Sequence, residues 1–151
     1  MLKKRLKRIL FCTLILGTIL ACGYQTVLQM SGYSMEPAIT DSQKLYTEEV
    51  SLSDLNRGDI IYFEISNALL VKRLIGLPGE TIEVRDGKIY IDGEILVENY
   101  EISVPEYVVL PITLGEDEYF VLGDNRNNSK DSHDYGPIKG DQIKGRVFLI
   151  R

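Results

Sequence analysis

Three stretches of this chain hold residue types that can do covalent chemistry. They are Ser31-Gly32-Tyr33-Ser34-Met35-Glu36-Pro37, then Val71-Lys72-Arg73-Leu74-Ile75-Gly76-Leu77-Pro78-Gly79, and last Gly123-Asp124-Asn125-Arg126-Asn127-Asn128-Ser129-Lys130-Asp131-Ser132-His133-Asp134-Tyr135-Gly136. Lys72 falls inside Leu69 to Ile75, a run of strand length. A strand's period of two puts Lys72 on the face of Leu70 and Leu74 and Arg73 on the face of Val71 and Ile75, so one of the two cations must face inward. A lysine buried among leucines is disfavoured in its charged form. Its pKa falls, and it becomes usable as a general base near neutral pH, which an arginine cannot do. The same pattern leaves open that the amine snorkels to solvent or pairs with one of the chain's many acids. A base needs a nucleophile, and Ser34 is a candidate: Gly32 before it and Pro37 after it imply a tight, irregular backbone that could present a hydroxyl. A loop serine is more often a turn residue, and a Gly-x-Ser-Met string is weak by itself.

The elements that must hold these residues read as β. Ile60 to Phe63, Leu69 to Ile75, Thr81 to Val84, Lys88 to Ile91, Tyr119 to Leu122 and Arg146 to Ile150 are short runs with β-branched or aromatic content. Asp86-Gly87 and Asp92-Gly93 separate neighbouring runs, as two-residue hairpin turns require residues that accept positive φ. A three-stranded meander over Thr81 to Val97 is predicted. Ser53 to Gly58 and Pro137 to Asp141 read as short connections, and Glu98 to Asp117, with Pro105, Pro111 and Gly115, as a surface excursion. The expected fold is a mostly β, small antiparallel sandwich or barrel-like domain over 31–151.

Ahead of it stand Lys3, Lys4, Arg5, Lys7 and Arg8, with no acid before Glu36. Sixteen uncharged residues follow, Ile9 to Tyr24, extendable to Met30. About 17 to 25 residues cross a bilayer core, so the predicted division is a cytoplasmic basic segment 1–8, a transmembrane anchor 9–30 and an exterior domain, oriented by the positive-inside rule. A cleavable signal with a cut near Thr18 to Gly23 is a competing reading. So is a lipoprotein signal ending at Cys22, from Ile19-Leu20-Ala21-Cys22. Both cysteines, Cys12 and Cys22, lie in this segment, so the exterior domain has no disulfide. Without a Cys-x-x-Cys pair, and with a single histidine, a structural zinc site is not expected.

Charge excludes another class. Of 17 basic and 22 acidic residues, the five basics of the amino-terminal cluster are set apart, and the remainder is strongly acidic. No Lys/Arg stripe is left to neutralise phosphates, so nucleic-acid binding is not expected. The chain has no Trp and no repeat at solenoid periods.

Together the segments resemble the bacterial type I signal peptidases, membrane-anchored Ser/Lys proteases. The serine box matches Ser34-Met35 with Pro37, a strand box Arg57 to Phe63, the lysine box Val71-Lys72-Arg73 through Gly79, and the late box Gly123-Asp124-Asn125-Arg126 with Ser129, Asp131 and Ser132. The resemblance implies that Ser34 attacks the scissile carbonyl, that Lys72 takes its proton and later activates water, and that an ester forms on Ser34. It implies an oxyanion held by the Ser34 N–H. Ser129 would orient the Lys72 amine, Asp131 would hold the late box against the lysine strand, and Asp124 and Arg126 would fix the same region. No cofactor or metal is implied, and the expected partners are preprotein signal peptides and membrane lipid.

Two departures stand out. Gly32 occupies a position where some relatives carry a serine that lends a hydroxyl to the oxyanion hole, leaving Ser31 or the backbone alone. His133 stands where many relatives have an arginine, making the ion pair with a neighbouring acid weaker and pH-dependent. His133 as the base itself is a rival, since some relatives use histidine, though at the position of Lys72. A second class of function is a non-catalytic assistant in assembling surface structures such as pili, whose members lack the serine or lysine. A third is a self-cleaving repressor, in which a DNA-binding module would replace the membrane segment.

Overall fold

Short-range turn chemistry organises the domain. Asp86 and Gly87 sit at φ 51° and 69°, and Asp92 and Gly93 at 52° and 84°, the double positive φ that matches the twist of a two-residue hairpin. Ser66-Asn67 does the same at 50° and 65°, a turn the sequence reading did not mark. The computed structural model describes residues 26–151.

Eleven strands result among the described residues: β1 (Thr26–Gln29), β2 (Lys44–Glu48), β3 (Ile60–Ile65), β4 (Ala68–Gly76), β5 (Thr81–Arg85), β6 (Lys88–Ile91), β7 (Glu94–Ile95), β8 (Val109–Thr113), β9 (Glu118–Leu122), β10 (Ile138–Lys139) and β11 (Ile143–Ile150). One α-helix, α1 (Ser132–Tyr135), and three 3-10 turns complete them. A seven-stranded sheet runs β1-β2-β11-β3-β4-β9-β10 and a four-stranded one β7-β6-β5-β8. Every pairing is antiparallel. The six predicted strands and the meander are all present.

Three apolar clusters hold the sheets. Ile75, Phe120 and Leu122 of the large sheet meet Ile82, Val84 and Ile89 of the small one. Ile61, Phe63, Leu74 and Val121 pack across the middle of the large sheet. Met30, Met35, Ile39, Leu45, Tyr62 and Val147 pack beside the Ser34 loop. Each such side chain contributes about 1.5–3 kcal/mol of burial.

Three expectations are corrected. The far end of the expected anchor, residues 26–29, is strand β1, paired with β2 from Thr26↔Thr47 to Gln29↔Lys44; the rest of it, residues 9–25, and the basic segment 1–8 lie outside the described residues. Among the described residues no helix is long and apolar enough to cross a membrane. The excursion Glu98 to Asp117 contains β8, which pairs with β5; Pro111 hid it, and Pro is tolerated there because β8 is a sheet edge. The connection at Pro137 to Asp141 contains β10.

Candidate active site

Strand β4 carries the two cations. From Val71 to Gly76 it is buried on both faces, because Leu74 enters one core cluster and Ile75 another. Both Lys72 and Arg73 are therefore enclosed, at 4% and 7% exposure, where the alternating pattern required only one to be. Their partners differ. Arg73 donates from Nε and Nη2 to the two oxygens of Asp124, at 2.7 and 2.5 Å, and from Nη1 to the Gly58 carbonyl. Its guanidinium lies 3.8 Å over the Tyr100 ring. Lys72 forms no salt bridge among the described residues; its Nζ donates to Ser34 Oγ at 2.7 Å.

The loop presenting Ser34 is fixed from both ends. Met35 and Ile39 are fully buried, and the Ile39 N–H donates to the Met35 carbonyl at 2.9 Å. On the other side Asn125 donates from its backbone N–H to the Ser34 carbonyl and from Nδ2 to the Tyr33 carbonyl, both at 3.1 Å. The Ser34 N–H has no acceptor among the described residues. Gly32, at φ 99°, takes a conformation that side chains rarely adopt, and its N–H donates to Asp41.

Burial disfavours the Lys72 ammonium and pushes its pKa below the ordinary lysine value; the negative charge of Asp131 acts in the opposite sense. The site thus joins a hydroxyl to an amine that sheds its proton more readily than a surface lysine. Beside it lies a groove of about 240 Å³ between β1 and the first half of β4, lined by Leu28, Met30, Ser31, Leu69 and Val71 as well as by Ser34 and Lys72. Strand β9 pairs with β4 only from Arg73 onward, so among the described residues no strand covers the second edge of Ala68 to Lys72.

The late segment is braced by its own charges. Asp124 and Arg126 are fully buried. Asp124 ties the segment to β4 through Arg73, the task expected of Asp131. Arg126 donates to both oxygens of Glu98 and, from Nε, to the Gly123 carbonyl. Asp131 instead braces the segment internally, accepting from the Gly123 N–H at 2.9 Å and capping α1 through the His133 N–H. The Ser132 hydroxyl accepts from the Val121 N–H. Ser129 forms no hydrogen bond with the Lys72 amine: its Oγ is buried without a hydrogen-bond partner and lies against Gly123. The sequence reading missed Arg73, Glu98 and Asn125 as structural partners. Two arginines bound for the interior each demand a carboxylate, and that was the signal available for Glu98.

Comparison with known proteins gives one answer. Residues 2–151 match the signal peptidase, peptidase S26, family. The chain is 38% identical over 151 residues to a probable signal peptidase I-2 of Synechocystis, covering 91% of this chain and 69% of the relative. It is 39% identical over 153 residues to a signal peptidase I of Leptolyngbya laminosa, covering 91% and 75%. A crystal structure of a signal peptidase I from Enterococcus faecalis superposes with a TM-score of 0.54 at 37% identity, covering 65% of this chain and all of that one.

Proposed function

The chain belongs to the signal peptidase, peptidase S26, family, a family of serine peptidases, and from this we propose that it removes signal peptides from exported preproteins with Ser34 as nucleophile and Lys72 as general base. The observation that carries the reading is the 2.7 Å contact between Ser34 Oγ and an enclosed Lys72 Nζ. With the amine uncharged the direction of that hydrogen bond reverses, and the hydroxyl donates to nitrogen. Lys72 then accepts the Ser34 proton as Oγ attacks the scissile carbonyl. The Ser34 N–H, which has no acceptor among the described residues, would donate to the oxyanion, and Gly32 adds no hydroxyl to that hole. Collapse of the intermediate breaks the C–N bond, and the Lys72 ammonium returns its proton to the leaving amine. The restored amine deprotonates water, which hydrolyses the ester to a carboxylate and regenerates Ser34.

The groove beside the dyad suits an extended peptide, which would pair with the open edges of β1 and β4 and place small side chains against Leu28, Met30 and Leu69. The uncharged run Ile9 to Tyr24 would span the membrane, with the basic cluster cytoplasmic and the catalytic domain outside. With β1 beginning at Thr26, the dyad would then lie close to the membrane surface, where an inserted signal peptide exposes its cut site.

The test uses the detergent-solubilised full chain and a precursor bearing an Ala-x-Ala site. Wild type cleaves, and Ser34→Ala and Lys72→Ala do not. Retained cleavage by Lys72→Ala with loss in His133→Ala would overturn the dyad, and an inert wild type would favour an assembly role.

A further inference from the structure

His133 is the chain's only histidine, and the mechanism above gives it no part. Its ring stacks on Tyr107, centroids 4.0 Å apart and planes inclined by 11°, which fixes the ring's plane. In that plane Nδ1 lies 2.7 Å from Asp131 Oδ1 and Nε2 lies 3.4 Å from Asp134 Oδ2. The other oxygen of Asp131 accepts from the Gly123 N–H. Gly123 in turn packs so closely on the Ser34 carbonyl that a β-carbon there would lie 2.3 Å from it. His133 therefore touches the Asp131 carboxylate, whose charge acts on Lys72, and makes no hydrogen bond of its own to Ser34 or Lys72. We propose that His133 is a positioning residue that governs the charge on Lys72 through Asp131, protonation of one opposing protonation of the other.

The inference rests on Lys72 being the base. With His133 neutral, Nδ1–H donates to Asp131, and the full carboxylate charge favours the Lys72 ammonium. With His133 protonated, the imidazolium neutralises that charge, and the Lys72 ammonium loses its support. The two protonation states of the ring thus set different fields at the Lys72 amine.

The remaining groups around the ring do not substitute for it. Burial pushes the phenols of Tyr107 and Tyr135 up, which keeps them uncharged. Arg126 and Glu98, whose charges reach Tyr107, are paired with each other. Asp134 is the second acid facing His133, and its oxygen also accepts from the Asp131 N–H.

The test is the pH profile of kcat/KM for the full chain, wild type against His133→Gln and His133→Arg, over roughly pH 5 to 10. The permanent cation in His133→Arg places the acidic limb about half a unit or more below that of His133→Gln. Wild type follows His133→Gln at high pH and bends toward His133→Arg as pH falls. Three superposable profiles overturn the proposal, whereas cleavage by Lys72→Ala overturns the dyad reading beneath it. A purely structural role would change rates without moving the limb. A second readout needs no activity and no His133 variant: proton NMR of the single histidine ring in wild type and Lys72→Met. Losing the lysine charge moves the ring's titration curve to higher pH, by reciprocity; coincident curves refute the coupling.

Discussion

Gly123→Ala isolates the close packing against the carbonyl of Ser34, the residue proposed as nucleophile. Gly123 does not occupy a left-handed conformation, so alanine suits its backbone and only space opposes it. An alanine β-carbon there would lie 2.3 Å from the Ser34 carbonyl oxygen, 2.3 Å from Ser129 Oγ and 2.6 Å from Ser129 Cβ. Restoring ordinary van der Waals separation requires a displacement of roughly 1 Å. Ser129 Oγ can rotate away, but the Ser34 carbonyl is backbone, held by the Asn125 N–H at 3.1 Å. The Ser34 peptide must therefore retreat, and Oγ moves with it relative to Lys72. A misplacement of about 1 Å at reacting groups costs on the order of 100-fold in rate, and the overpacking costs about 1–3 kcal/mol of stability. The assay is kcat/KM on a precursor peptide, paired with thermal unfolding. Adding Ser129→Gly to Gly123→Ala removes the side-chain clash and leaves the carbonyl clash, so the double variant stays slow. A single variant within about threefold of wild type, or recovery in the double variant, would refute the reasoning.

Two further substitutions probe the buried charges. Asp124→Ala strands the enclosed Arg73 guanidinium and should cost on the order of 3–5 kcal/mol, a fall of about 10 °C or more in Tm; an unchanged melting curve would show that Gly58 and Tyr100 suffice to satisfy the arginine. Lys72→Met tests desolvation through stability. Burial lowers the folded-state pKa of Lys72 from its ordinary 10.5, so the unfolded chain binds the extra proton between the two values and wild-type stability rises with pH across that interval. The penalty is fully present below the folded pKa, so Lys72→Met melts above wild type there, and the gap closes as pH passes the ordinary lysine value. A gap independent of pH would mean that methionine stabilises by packing alone.

What could be read in advance follows from what the neighbours of each residue are. Strands β3, β4, β5, β6, β9 and β11 each carry a run of apolar or β-branched residues, and two of their hairpins carry Asp-Gly turns, so local pattern sufficed. Strand β8 carries Pro111 and β10 has two residues; these form because a neighbouring strand offers an edge, which no local pattern records, whereas the Asp92-Gly93 turn already announces the two-residue β7. Thr26–Gln29 continues an apolar run and so resembles the end of a membrane span, but pairing with β2 makes it a strand. At the site, residue type and spacing raise Ser34 and Lys72 only as candidates, and the resemblance to the type I signal peptidases is what singles them out. The tasks of Asp124 and Asp131 were exchanged, because which of two acids seven residues apart meets Arg73 depends on the turn after β9.

That exchange bears on the role proposed for Lys72 as a base in so acidic a protein. The chain has 22 carboxylates against 17 cations, and an enclosed lysine would ordinarily recruit one of them and stay charged. Among the described residues each acid of the region is already committed. Asp124 is taken up by Arg73 and Glu98 by Arg126. Asp131 is held by the Gly123 and His133 N–H groups and by the His133 ring. Lys72 is left with a hydroxyl as its hydrogen-bond partner and with the field of one carboxylate that has other obligations. The buried arginines thus act on the proposed base by subtraction. They secure the late segment and, in doing so, occupy the charges that would otherwise hold the Lys72 proton in place.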